Sequence, residues 1–265
     1  MELPENPPVP QPMGSFPEQP PVQLPRPLGS HRWGLGTAIT LTLLAGGITL
    51  LGGLIGGVIQ QLAEDAGFPE SAYGTLLGVM LVLTYVAIIV VVWVAARRSS
   101  VGLAEAVGLH HAPFKTTVGI GLGVALGARV VAGAYGVILE TLGVELPTQE
   151  LDPTQLLPQT PVGILLTLVL AVVLAPLAEE IVFRGVLLSS LRDRWGDAFA
   201  IGVSSAVFAA AHAVPLAMPP IFLLSLALGW AYVRARTLWA PIVAHALFNG
   251  IGVIALYALR DTGVL

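Results

Sequence analysis

The chain has 265 residues, 55% of them hydrophobic and only 11% charged, with a net charge of −4. Ordinary soluble domains carry about 25% charged residues, and a mean hydropathy of +0.83 leaves more apolar surface than a core of this length hides from water, so lipid is the natural solvent. The 12 basic residues form no stripe that would neutralise a row of phosphates, which argues against nucleic-acid binding, and the lack of cysteine removes disulfides, thiolate metal sites and a cysteine nucleophile together.

Residues 1–33 are Pro-rich and polar, as in ENPPVPQP and EQPPVQLPRP. They lack the apolar content needed to fold, so composition predicts a disordered tail of polyproline character. The first apolar run begins only after this tail, which does not fit a cleaved signal peptide. From residue 34 to 265 the pattern predicts an all-α, polytopic transmembrane bundle. Runs fit to span a bilayer, which takes roughly 20 residues of helix, fall near 35–60, 73–96, 117–139, 161–191, 198–214, 220–234 and 238–259. The expected count is about seven spans, within six to eight.

Small residues four apart mark candidate helix contacts: Gly52/Gly56 and Gly53/Gly57 in the first run, and Gly119/Gly123/Gly127 in the third. Such rows let helix backbones approach closely in lipid, although Gly is also simply frequent in membrane helices. Trp93, Trp195, Trp230 and Trp239 fall near predicted span ends, where interfacial anchors belong. The loops alternate in charge. Arg26 and Arg32, then Arg97, Arg98 and Lys115, then Arg192 and Arg194, then Arg234 and Arg236 occupy every second connection. Glu64, Asp65 and Glu70, then Glu145, Glu150 and Asp152, lie in loops without a basic residue, and only Arg260 dissents. The positive-inside rule therefore puts the N-terminus in the cytoplasm and, with seven spans, the C-terminus outside.

Charged residues inside spans are informative, because each costs about 2.5–3.5 kcal/mol at mid-bilayer. Glu179, Glu180 and Arg184 lie within the fourth run, in LAPLAEEIVFRG. Glu180 and Arg184 are four apart, share a helix face and can pair. Glu179 is rotated about 100° away and needs another reason to be there. Two further runs carry partners: Phe208 and His212 in FAAAH, and His245 and Asn249 in HALFN, each pair on one side of its helix. At 1.5 Å per residue, Glu180 lies about 18 Å in from Arg192 and Asn249 about 20 Å in from Arg236. His245 lies about 14 Å in, and His212 about 27 Å from Arg194. Four groups from three helices can thus meet in one cavity nearer the cytoplasmic half. Arg129, mid-way along the third run, reads either as a contact for a substrate carboxylate or as a partner of Glu140, Glu179 or Glu180, and pairing is the favoured reading.

The order EExxxR (Glu179, Glu180, Arg184), FxxxH (Phe208, His212) and HxxxN (His245, Asn249) resembles the motifs of the CPBP family, which contains the CAAX prenyl endopeptidases and bacterial Abi-type proteins. The resemblance covers about residues 160–255, the CAAX-protease-like core. It implies an intramembrane endopeptidase in which Glu179 activates water with help from His212, while His245 and Asn249 hold the oxyanion. Glu180, Arg184 and Phe208 are then supporting residues. A carboxylate in a low-dielectric cavity suits a general base, and an amide with an imidazole N–H suits a developing negative oxygen. Metal dependence stays open. Glu179, His212 and His245 would make a three-ligand zinc set, but HExxH is absent, and a metal-independent glutamate mechanism is favoured.

The expected partners are the bilayer and a membrane-bound or lipidated peptide, and the expected place is the plasma membrane of a prokaryote. Alternatives are a non-catalytic membrane scaffold or bacteriocin-immunity-type protein of the same fold, or a transporter. The transporter reading is the weaker, since hydropathy shows no inverted repeat.

Overall fold

The computed structural model describes residues 33–99, 102–110, 113–144 and 160–259. The Pro-rich tail up to residue 32, the acidic residues Glu145, Glu150 and Asp152, and Arg260 lie outside the described residues. The described chain is helical, in the order α1 (Leu35–Asp65), α2 (Glu70–Arg98), a short α3 (Leu103–Val107), α4 (Phe114–Thr141), α5 (Pro161–Ala211), α6 (Met218–Ala235) and α7 (Trp239–Leu259). A single turn, Pro215–Ala217, leads into α6. Among the described residues six helices are long and apolar enough to cross a membrane.

The fourth of these, α5, is 51 residues long and holds two of the runs expected from sequence. It breaks at Gly196, where φ is 79° and ψ is 176°. That region of backbone space is nearly closed to any residue with a Cβ. The chain folds back there, because Ser204 Oγ beyond the break donates to the Phe183 carbonyl before it at 2.9 Å. Arg192 and Asp197 pair across the bend. The two arms of α5 correspond to the expected spans 161–191 and 198–214, so all seven apolar runs are helical.

The first arm is the hub of the molecule. Ile181, Val182, Val186 and Leu188 are almost fully buried, against Ala38, Leu41 and Ala45 of α1, Ile88, Val92 and Ala96 of α2, and Ala106 and Val107 of α3. A helix that is apolar on most sides is either a membrane span or buried among neighbours, and this stretch of the arm is buried. Trp33 caps this cluster, its indole N–H donating to the Ala106 carbonyl at 2.9 Å. Gly185 lets α3 dock: a Cβ there would stand 2.7 Å from the Val107 Cβ and 3.1 Å from the Val107 carbonyl oxygen. Gly185→Ala should therefore cost about 1–3 kcal/mol by overpacking, read as a lowered unfolding midpoint in detergent. An unchanged midpoint would show that α3 yields freely.

The glycine rows divide. Gly52 and Gly56 do face α2, where a Cβ would meet Thr84 at 2.7 Å and Leu77 at 3.7 Å. Gly53, Gly57, Gly119, Gly123 and Gly127 have nothing within 4 Å. The close approach of α4 is instead made by Gly121, whose Cβ would be 2.8 Å from the Val243 side chain and 3.3 Å from the Ala244 nitrogen on α7. Spacing finds a row but not the face that a neighbour takes. Two residues along a helix is about 200° of rotation, so Gly121 lies opposite the predicted row. Trp93, Trp195, Trp230 and Trp239 are all exposed, as anchors facing lipid would be.

Candidate active site

The first arm of α5 changes its winding twice. Val169–Leu174 and Ile181–Leu188 are wider π turns, and they bracket the α-helical stretch Ala175–Glu180 that carries both carboxylates. π turns inside α-helices are frequent at functional sites. The first has a local cause in Pro176, which has no N–H to give and whose ring crowds the preceding turn. The N–H of Ala175 bonds to the Leu170 carbonyl, five residues back. In that register the next donor would be residue 176, the proline, so the Ala171 carbonyl loses its helical partner. Asn249 supplies one: its Nδ2 donates to the Ala171 oxygen at 2.9 Å. A proline on one helix thereby sets the position of an asparagine on another.

Around the second π turn lies a buried ionic network. Glu180 and Arg184 are both inaccessible to solvent, and Arg184 Nη1 donates to Glu180 Oε1 at 2.8 Å. The other arm of the guanidinium, Nη2, donates to Ser225 Oγ at 2.7 Å and to the Ser225 carbonyl at 3.0 Å, tying α5 to α6. The same Oε1 of Glu180 is 2.9 Å from His245 Nδ1. His245 Nε2 is 3.8 Å from Glu179 Oε2, beyond direct hydrogen bonding. Glu179 keeps 20% of its side chain exposed while Glu180 keeps none. Neighbouring glutamates on one helix are thus addressed by a single imidazole, whose two nitrogens lie on opposite sides of the ring. The 100° between them does not separate their chemistry, and Glu180 holds His245 as well as Arg184.

Phe208 is the apolar centre of this network. The Arg184 guanidinium lies over its ring, 4.8 Å from the centroid. Its centroid is 5.9 Å from that of His245, 4.8 Å from that of His212 and 4.9 Å from that of Phe183. His212 closes the second arm of α5, exposed, with Nδ1 2.8 Å from the Phe208 carbonyl. A carbonyl only accepts, so Nδ1 carries the proton and a neutral imidazole offers its Nε2 lone pair. Glu179, Glu180, Arg184 and His245 therefore form a contiguous set. His212 adjoins it through Phe208, and Asn249 stands one turn beyond His245 with one amide hydrogen engaged.

Sequence reasoning missed Tyr85. From the middle of α2, its hydroxyl lies near enough to the Glu179 carboxylate to interact with it electrostatically. The signal was a phenol inside the apolar run VLTYVAI, since a hydroxyl at that depth needs a partner. A donor fixed on a carboxylate is worth about 1.5–3 kcal/mol. Tyr85→Phe should accordingly lower the turnover of any reaction that uses Glu179 by roughly 10- to 100-fold with KM little changed. Equal kcat in both proteins would reduce Tyr85 to packing.

Another expectation meets the geometry differently. Arg129 pairs with none of Glu140, Glu179 or Glu180. Its Nε donates to the Phe248 carbonyl at 2.9 Å, Nη2 donates to the same oxygen, and its guanidinium lies 3.9 Å over the Phe248 ring. The reason is packing: α4 lies along α7 rather than α5, and Glu140 is about 16 Å further along α4. A zinc set would need Glu179, His212 and His245 to converge. Among the described residues no three His, Cys, Asp or Glu side chains stand close enough to share an ion.

Residues 161–251 match the family model described as type II CAAX prenyl endopeptidase Rce1-like. This segment is similar to that family. The matched segment runs from the start of α5 into α7 and holds Glu179, Glu180, Arg184, Phe208, His212, His245 and Asn249, while Tyr85 and Arg129 come from helices before it. The chain is 25% identical over 134 residues to "Putative membrane peptidase YdiL" of Bacillus subtilis strain 168, covering 51% of this chain and 53% of that protein. It is 29% identical over 140 residues to "Uncharacterized 24.3 kDa protein" of Escherichia coli, covering 51% of this chain and 64% of that protein. The chain thus spans between half and two thirds of the length of these curated relatives. No solved structure matches it.

Proposed function

We propose that the chain is an intramembrane endopeptidase of the CAAX-protease type, cutting peptide bonds near the cytoplasmic face with a glutamate-activated water. The observation that carries this reading is the pair of adjacent carboxylates at one imidazole, with Glu179 partly open and Glu180 sealed. A sealed carboxylate holds the imidazole in place, and an open one is free to meet water. In the proposed step Glu179 takes a proton from water as its oxygen attacks the scissile carbonyl. His212, its Nδ1–H spent on the Phe208 carbonyl, accepts the water's other hydrogen bond at Nε2. His245, with Nδ1–H on Glu180 and a second proton on Nε2, donates to the developing oxyanion beside the remaining N–H of Asn249. Glu179 then passes its proton to the leaving nitrogen as the C–N bond breaks, which yields a carboxylic acid and an amine.

The basic loops at alternate connections support a cytoplasmic N-terminus, in the plasma membrane of a prokaryote by the same reading. The substrate class that fits is a lipidated or membrane-bound peptide. The test is cleavage of a panel of prenylated and membrane-spanning peptides by purified protein in nanodiscs, followed by mass spectrometry. Discrete products formed equally with and without a chelator are expected. No product across the panel from folded protein would favour the scaffold reading, and loss of product on chelation would favour zinc.

A further inference from the structure

Arg129 is an ionisable side chain near the middle of a membrane-crossing helix with no use in the mechanism above, and at that depth such a group calls for a function. Among the described residues no carboxylate pairs with it. A guanidinium has five N–H donors in a planar fork. Here Nε and Nη2 converge on one carbonyl, that of Phe248, and Nη1 has no hydrogen-bond partner among the described residues. The Phe248 ring beneath it holds the plane in place. The space is carved by Gly252, where a Cβ would fall 2.7 Å from the guanidinium carbon and 2.9 Å from Nη1. A Cβ at 252 would force the guanidinium to shift from this position.

The position of that notch gives it meaning. Gly252 is seven residues after His245, so it lies on nearly the same face of α7, about 20° away, and about 10 Å further along the axis. Asn249 stands between them. A peptide whose scissile carbonyl sits at His245 and Asn249 reaches Arg129 after two or three extended residues, at about 3.3–3.6 Å each. The fork of a guanidinium matches a carboxylate, and the pairing strengthens away from water.

We propose that Arg129, seated in the Gly252 notch, is a subsite for a carboxylate carried by the bound peptide two or three residues beyond the scissile bond. The carboxylate is either the free C-terminus or an acidic side chain. The assignment of a peptide ligand rests on the endopeptidase reading, so the test measures binding without turnover. Three probes are titrated onto the protein in nanodiscs: N-acetyl-Ala-Val-Leu as the free acid, the same tripeptide as its C-terminal amide, and N-acetyl-Ala-Val-Glu amide. Wild type should bind at least one of the two acids about tenfold or more tightly than the neutral amide. Which acid wins identifies the source of the charge. Arg129→Gln and Gly252→Ala should both erase the preference, the second by displacing the guanidinium without removing it. Equal binding of all three probes to wild type overturns the proposal without any variant, and so does a preference that survives in folded Arg129→Gln. Discrimination by a protein that cleaves nothing would uphold the subsite and remove the protease reading. Cleavage with no discrimination would do the reverse.

Discussion

Glu179→Gln should lower peptide cleavage by about 10²- to 10⁴-fold, the usual contribution of a positioned general base, while leaving the unfolding midpoint close to wild type. The two side chains are nearly the same shape. Position 179 is partly open, so no sealed charge loses its partner. What disappears is the ability to accept a proton from water. Quantifying products by mass spectrometry against time, in protein matched for folding, checks this. A variant that retained more than a tenth of wild-type turnover would rule out Glu179 as the base.

The second large effect is on stability. Arg184→Ala should cost roughly 3–5 kcal/mol, because it strands the sealed Glu180 carboxylate and frees Ser225 at once. The cost should appear as unfolding at lower SDS fraction in mixed micelles. Wild-type resistance would mean that Glu180 finds another partner. Glu180→Gln combined with Arg184→Met removes both charges together, and much of the stability should return. Activity should not return with it, since His245 then lacks the carboxylate that holds Nδ1. The pair of variants separates what the ion pair does for the fold from what it does for the site.

Much of the architecture was legible because lipid makes the pattern simple. Seven apolar runs became seven helical arms, and the four-residue spacing of Glu180 and Arg184 predicted the ion pair that forms. The same arithmetic failed where it assumed a regular helix or an empty neighbourhood. The π turns around Ala175–Glu180 are invisible to a 3.6-residue template, although Pro176 hinted at the first. Tyr85 has no spacing relation to the motif residues, and its nearness to Glu179 depends on how α2 packs against α5. Arg129 was matched to carboxylates by type, whereas its reach depends on which helix α4 touches, and Gly252 made room for it at a carbonyl. Gly121 stands in a second row of small residues, Thr117/Gly121/Ala125, and only the position of α7 shows that this row rather than Gly119/Gly123/Gly127 is the one a neighbour takes.

The reversal at Gly196 bears on how the protein enters its membrane. The first arm of α5 carries three ionisable groups within six residues, which at about 2.5–3.5 kcal/mol each would burden a helix partitioning by itself. Its apolar residues return only about 0.3–0.6 kcal/mol apiece. The bend at Gly196, closed by Arg192 and Asp197, supplies a second, largely apolar arm a few residues later, and Glu180 with Arg184 presents to lipid as a neutral pair. Biogenesis is thus favoured for the two arms as one hairpin. A side chain at position 196 would be felt first at the translocon, before any tertiary packing exists.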